Sequence, residues 1–188
     1  MSFFSKFFQS NRGSTQVPPK EGRAAAPSLP STVSKRRAAA APVVGASSMP
    51  YRPELVDKLK ADHQDLLDIY ARLSAAAQMG HTAHIAEDLM AFRRGFQNHI
   101  LVENLNFYVY LERILANRPE ELGYVRSLRQ DMNGIAKVVA DFIHTWISQP
   151  PTAQTVGQFE TELTVMGQAL SARIELEESR LYVLYVAV

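Results

Sequence analysis

From Pro50 onward, apolar residues recur every three or four positions in four long runs, parted by short breaks rich in glycine and proline. That spacing marks one face of an α-helix. Links this short make consecutive helices pack as antiparallel neighbours. The first run extends from about Pro53, a residue suited to a first helical turn, to about Met79. Its stripe is Val56, Leu59, His63, Leu66, Tyr70, Leu73 and Ala77. Gly80 stops it, and Thr82 opens a second helix reaching about Ala116. After Asn117-Arg118-Pro119, a third helix follows from Pro119 to Ser148 through Val125, Leu128, Met132, Ile135, Val139, Phe142 and Trp146. Pro150-Pro151 is the sharpest break. The fourth helix runs from about Thr155 to Tyr185 through Phe159, Leu163, Met166, Leu170, Arg173, Glu177, Leu181 and Leu184. No stretch alternates like a strand. The expected fold is all-α, an up-down-up-down four-helix bundle over residues 51–188.

Residues 1–50 have no such stripe. Rich in Ala, Pro, Ser and Gly, they read as a disordered basic tail, with seven lysines and arginines against one glutamate. Residues 51–188 carry thirteen against eighteen, so the overall +1 joins a tail of +6 to a bundle of −5. An acidic bundle argues against nucleic acid as its partner. Phe3, Phe4, Phe7 and Phe8 around Lys6 form the tail's one aromatic cluster, a candidate contact for a membrane surface or an unidentified protein partner. The absence of cysteine excludes disulfides, thiolate metal sites and cysteine nucleophiles. No apolar run reaches the ~20 residues of a membrane span, and the first residues lack a secretory core, so a cytoplasmic location is expected.

The second helix carries the chemistry. Within Phe92–Leu111, His99 and Glu103 fall on the apolar stripe, four apart and one turn from each other. Polar groups on a buried face need a partner, either a metal or an ion pair. The pattern has an echo: His99-Ile-Leu-Val-Glu103 with Phe107-Tyr-Val109 matches Arg173-Ile-Glu-Leu-Glu177 with Leu181-Tyr-Val183, and Leu59-Lys-Ala-Asp-His63 matches Leu128-Arg-Gln-Asp-Met132. The bundle thus reads as two related hairpins about an approximate two-fold axis. His63, His99 and Glu103 in one half correspond to Met132, Arg173 and Glu177 in the other.

These residues give the chain a resemblance to the hemerythrin-like (HHE cation-binding) family over residues 51–188. It is carried by LKADHQDLL around His63, by HILVEN and FYVYLE around Glu103, and by ARIELEESRLY around Glu177. The resemblance implies a helical bundle with a non-haem di-iron centre, ligated by a His on the first and third helices and by HxxxE on the second and fourth. Carried over, it assigns metal-ligand positions to His63, His99, Glu103 and Glu177. Met132 and Arg173 stand where imidazoles are expected. The implied functions are oxygen binding, oxygen or redox sensing, and iron handling. VDKLKADHQDLLDIYARL and LTVMGQALSARIELEESRL also resemble the first and last helices of Rsd/AlgQ-type anti-sigma factors, which implies a metal-free regulator acting through its surface.

Arginine cannot ligate, and methionine suits iron beside carboxylates poorly. A guanidinium at Arg173 is positioned to bridge Glu103 and Glu177, and repels a cation ~4 Å away by about 4 kcal/mol per charge at an effective dielectric of 20. This weighs against a standard di-iron centre and toward an ion-paired interior without metal. A single iron or zinc on His63, His99, Glu103 and Glu177 is the other reading. His81, His84 and His144 fall off the stripes and read as exposed. Tyr108, Tyr110, Tyr182 and Tyr185 read as packing with hydroxyls at the rim, and Glu175 and Glu178 as solvated charge near Arg180. No nucleophile–base set or phosphate loop points to an enzyme. A binding, sensing or regulatory module is expected.

Overall fold

Pro119 opens the third helix where the sequence places it, whereas Thr82 begins a 3₁₀ turn ahead of the second helix and makes no side-chain cap. The computed structural model describes residues 50–188. The tail and its Phe3, Phe4, Phe7 and Phe8 cluster lie outside them. Helix α1 spans Leu55–Gln78. A 3₁₀ turn at Thr82–His84 leads into α2, Ile85–Val102. A π turn, Glu103–Phe107, joins α2 to α3, Tyr108–Ile114. Helix α4 is Pro119–Ser148 and α5 is Val156–Leu176. A second π turn, Glu177–Leu181, and a 3₁₀ turn, Tyr182–Leu184, follow α5. With no strand among the described residues, this is an all-α four-helix bundle whose second rod is α2, the π turn and α3 in series.

Local chemistry explains the ends. Gly80 adopts φ +66°, His81 N–H donates to Ala76 O at 2.8 Å, and Gly80 N–H donates to Ala77 O at 3.0 Å. Two orphan carbonyls of α1 are thereby satisfied by a Schellman cap, which glycine enters without steric cost. Pro119 occupies the first turn of α4, with Glu120 and Glu121 at its electropositive end.

Helix α1 packs on α2 and α5, and α4 packs on α2, α3 and α5, so the four rods close around one interior. At one end Leu55, Leu59, Phe107, Tyr108, Leu111, Leu128, Leu181 and Tyr182 form a continuous apolar cluster. At the other, Leu73, Phe92, Val139, Phe142, Phe159 and Leu163 are buried. Tyr70 of α1 is seated against Gly167 of α5, where any Cβ would overlap the Tyr70 ring. Between these apolar regions of each stripe lie the five buried polar or charged residues His63, His99, Glu103, Arg173 and Glu177.

The departure from expectation is in the second and fourth rods, which are not continuous α-helices. Each contains a π turn that begins at the stripe glutamate, Glu103 or Glu177. Tyr108 N–H reaches Glu103 O and Tyr182 N–H reaches Glu177 O, an i→i+5 pattern in both. The internal repeat therefore extends to the backbone.

Candidate metal centre

Three rods supply the donors. His63 comes from the middle of α1, His99 from the last turn of α2, and Glu103 and Glu177 from the first positions of the two π turns. His63, His99 and Glu177 each place one donor atom within 4.8 Å of the others. A cavity of about 20 Å³ lies among them, bounded also by Arg173, Met132, Phe92 and Phe96. That is room for a single water.

His63 is held at both ring nitrogens. Nε2 is 3.1 Å from Glu177 Oε2 and Nδ1 is 2.8 Å from Glu178 Oε1. Burial lowers its pKa, but hydrogen bonds and attraction to Glu177 and Glu178 prevail, and the net shift is upward. His99 has the opposite surroundings. Its Nδ1 is buried without a hydrogen-bond partner, with Asp62 Oδ2 3.9 Å away. Burial and the neighbouring His63 depress it to about 4, so His99 is neutral at physiological pH.

The carboxylates diverge in the same way. Burial and the proximity of Glu177 push Glu103 up to about 8, against the partial relief of Arg173, His63 and a Tyr182 hydrogen bond. Glu103 is fully buried, and its Oε2 has no partner. Burial raises Glu177 as well, but the His63 hydrogen bond and Arg173 outweigh it and hold this carboxyl below the usual range.

Arg173 is fully engaged. Its Nε donates to Glu177 Oε1 at 2.5 Å, one terminal nitrogen to Leu128 O at 3.1 Å, and the other to the Tyr108 hydroxyl at 2.9 Å. The expected bridge to Glu103 is not made, because the guanidinium fork is taken up by an α4 carbonyl and a phenol. The Tyr182 hydroxyl instead donates to Glu103 Oε1 at 3.3 Å and lies 3.4 Å from His63 Nε2. Tyr108 and Tyr182 each follow a π-turn glutamate by five residues, and each reaches into the opposite half of the bundle.

Several expectations change accordingly. Tyr108 and Tyr182 are interior groups rather than rim groups, because the π turn shifts the register that follows it. Tyr110 and Tyr185 bond at the periphery, Tyr110 to Val186 O and Tyr185 as acceptor from Arg52 N–H. Glu178 is the outer partner of His63, not merely solvated charge beside Arg180. His63 is a paired core histidine, whereas His99 has no carboxylate within hydrogen-bond distance. Met132 is buried on the cavity wall. His81, His84, His144 and Glu175 are exposed. Among the described residues, no helix is long and apolar enough to cross a membrane.

The three converging donors, two imidazoles and the Glu177 carboxylate, suit a cation, and His99 and Glu103 each keep a buried atom without a hydrogen-bond partner. A family model described as Hemerythrin HHE cation binding domain matches residues 54–185, a span containing every residue of this layer. No curated protein and no solved structure matches the chain.

Proposed function

The chain belongs to the hemerythrin HHE cation-binding family, and we propose that it binds one transition-metal ion, iron or zinc, as a binding or sensing module rather than as an enzyme. His63, His99 and Glu177 are the ligands, with Glu103 at the edge of the site. The observation that carries this reading is the convergence of three donors within 4.8 Å beside a carboxylate whose second oxygen is buried and unpartnered. A purely ion-paired interior would leave that oxygen unsatisfied, at a cost of about 1–3 kcal/mol. A bound ion supplies a Lewis-acidic centre. The residues orient it: Glu178 fixes the His63 ring from outside, and Arg173 holds one oxygen of Glu177 so that the other faces His63.

One ion rather than two follows from the second half of the bundle. Met132 and Arg173 stand at the repeat positions of His63 and His99, and a guanidinium beside Glu177 disfavours a second cation. The test is metal content after reconstitution with iron or zinc. One equivalent is expected, falling below a tenth of an equivalent in a His63→Ala, His99→Ala double variant. Two equivalents, or none, would overturn the reading.

A further inference from the structure

Tyr182 belongs to no ligand position considered so far, yet its hydroxyl stands inside the run of donor atoms. Glu177 Oε2 lies 3.1 Å from His63 Nε2, His63 Nε2 lies 3.4 Å from Tyr182 Oη, and Tyr182 Oη lies 3.3 Å from Glu103 Oε1. Adjacent ligands on one ion with bonds of about 2.1 Å sit roughly 3 Å apart, so these hydrogen-bonded separations also fit neighbours in a single coordination sphere. The Tyr182 ring is almost parallel to the His63 ring, with 10° between their planes and centroids 5.8 Å apart. It is buried, and the π turn that begins at Glu177 sets its direction. The equivalent Tyr108 is already committed, accepting a hydrogen bond from Arg173.

Charge supplies an independent argument. Arg173 adds a positive charge where the repeat would place a neutral imidazole. When an ion displaces the protons of His63 and Glu103, both histidines are neutral and both glutamates ionised, so Arg173, Glu103 and Glu177 together carry one net negative charge. A ferric ion turns that into two net positive charges, which buried surroundings tolerate poorly. A Tyr182 phenolate removes one, and Glu178, hydrogen-bonded to the far nitrogen of His63, offsets the other.

We propose that Tyr182 is a ligand of the bound ion, coordinating through Oη as phenolate, and that the site takes ferric iron. This rests on the one-ion reading above. On coordination, the phenolic O–H bond breaks, its proton leaves to solvent, and the Oη lone pair forms the bond to iron, with no change of oxidation state. Hard anionic oxygens beside imidazole suit ferric iron.

The experiment uses the full chain, stripped of metal and titrated with ferric nitrilotriacetate. Bound iron, the visible phenolate-to-iron charge-transfer band and the resonance Raman modes of a coordinated phenol ring are read together. The expected result is one equivalent of iron with the band and ring modes present. The band is lost in Tyr182→Phe, which still holds iron through the remaining ligands, and persists in Tyr108→Phe. Iron held by the natural chain with no such band overturns the proposal and leaves the one-ion reading standing, as does a band that survives in Tyr182→Phe or vanishes in Tyr108→Phe. A chain that holds no ferric iron overturns the ferric assignment, and the iron and zinc reconstitution described above then decides the one-ion reading separately.

Discussion

The two halves of the bundle share a backbone plan and differ in how fully their polar groups are partnered. In each, a buried glutamate opens a π turn and a tyrosine five residues later crosses to the other half. In the second half, Arg173 satisfies Glu177, Tyr108 and an α4 carbonyl. In the first, His99 and Glu103 each keep a buried atom with no partner. One half is closed by a side-chain cation, and the other keeps two buried polar atoms without a partner.

The largest effect on this contrast comes from removing the cation that closes the second half. Arg173→Met leaves Glu177, Tyr108 and the Leu128 carbonyl buried without their donor, and is expected to destabilise the metal-free protein by about 3–5 kcal/mol. Urea unfolding with chelator present measures it. A loss below 1 kcal/mol would mean that the second half is not closed by Arg173.

The open half is probed by pH. Glu103 has a folded pKa of about 8, above its unfolded value, so the folded state holds more protons and stability declines as pH rises toward 8. His63 is raised above 6.5 and acts in the same direction, its contribution lost as pH rises through its folded pKa. His99, depressed to about 4, contributes stability that is gained between about 4 and 6.5 and is complete above that. Between pH 6.5 and 8 the metal-free protein should therefore lose about 2 kcal/mol for each extra proton that the folded state holds over the unfolded one. Glu103→Gln should flatten the profile, leaving the His63 component. Urea midpoints at several pH values decide the matter, and a wild-type profile rising over this window would contradict the burial of an unsatisfied Glu103.

The smallest effect concerns the outer shell. Glu178→Gln keeps a hydrogen-bond acceptor for His63 Nδ1 but removes the charge. Metal affinity should fall about tenfold, with little change in unfolding midpoint, as read by competition with a chelator. An unchanged affinity would show that Glu178 does not tune His63.

Much of this was legible in the sequence. Every stripe residue named on α1 from Leu59 to Leu66, and on α4 apart from Ile135, is buried, and the polar stripe positions His63, His99, Glu103, Arg173 and Glu177 are the buried polar layer. Periodicity reports burial directly, since a stripe is the side of a helix that meets its neighbours. The π turns were not read, although they leave a signal. His99, Glu103, Phe107 and Leu111 are each four apart, as are Arg173, Glu177, Leu181 and Tyr185. Successive steps of four drift about 40° around an α-helix, so a long run of them leaves the buried face unless a wider turn takes up the excess. Side-chain pairing across the bundle was less legible. Whether Arg173 turns to Glu103 or to Tyr108 depends on the register set by that wider turn, and no local pattern encodes it.

The seat of Tyr70 on Gly167 has a consequence for the site. This seating of an aromatic ring on a bare backbone lies about two turns from His63 on α1 and from Arg173 on α5, where the two helices meet. The gap between His63 and Glu177 is bridged by the same two rods. A side chain at position 167 would have to displace the Tyr70 ring or part α1 from α5, so a glycine that touches neither His63 nor Glu177 bears on the spacing of the rods that carry them.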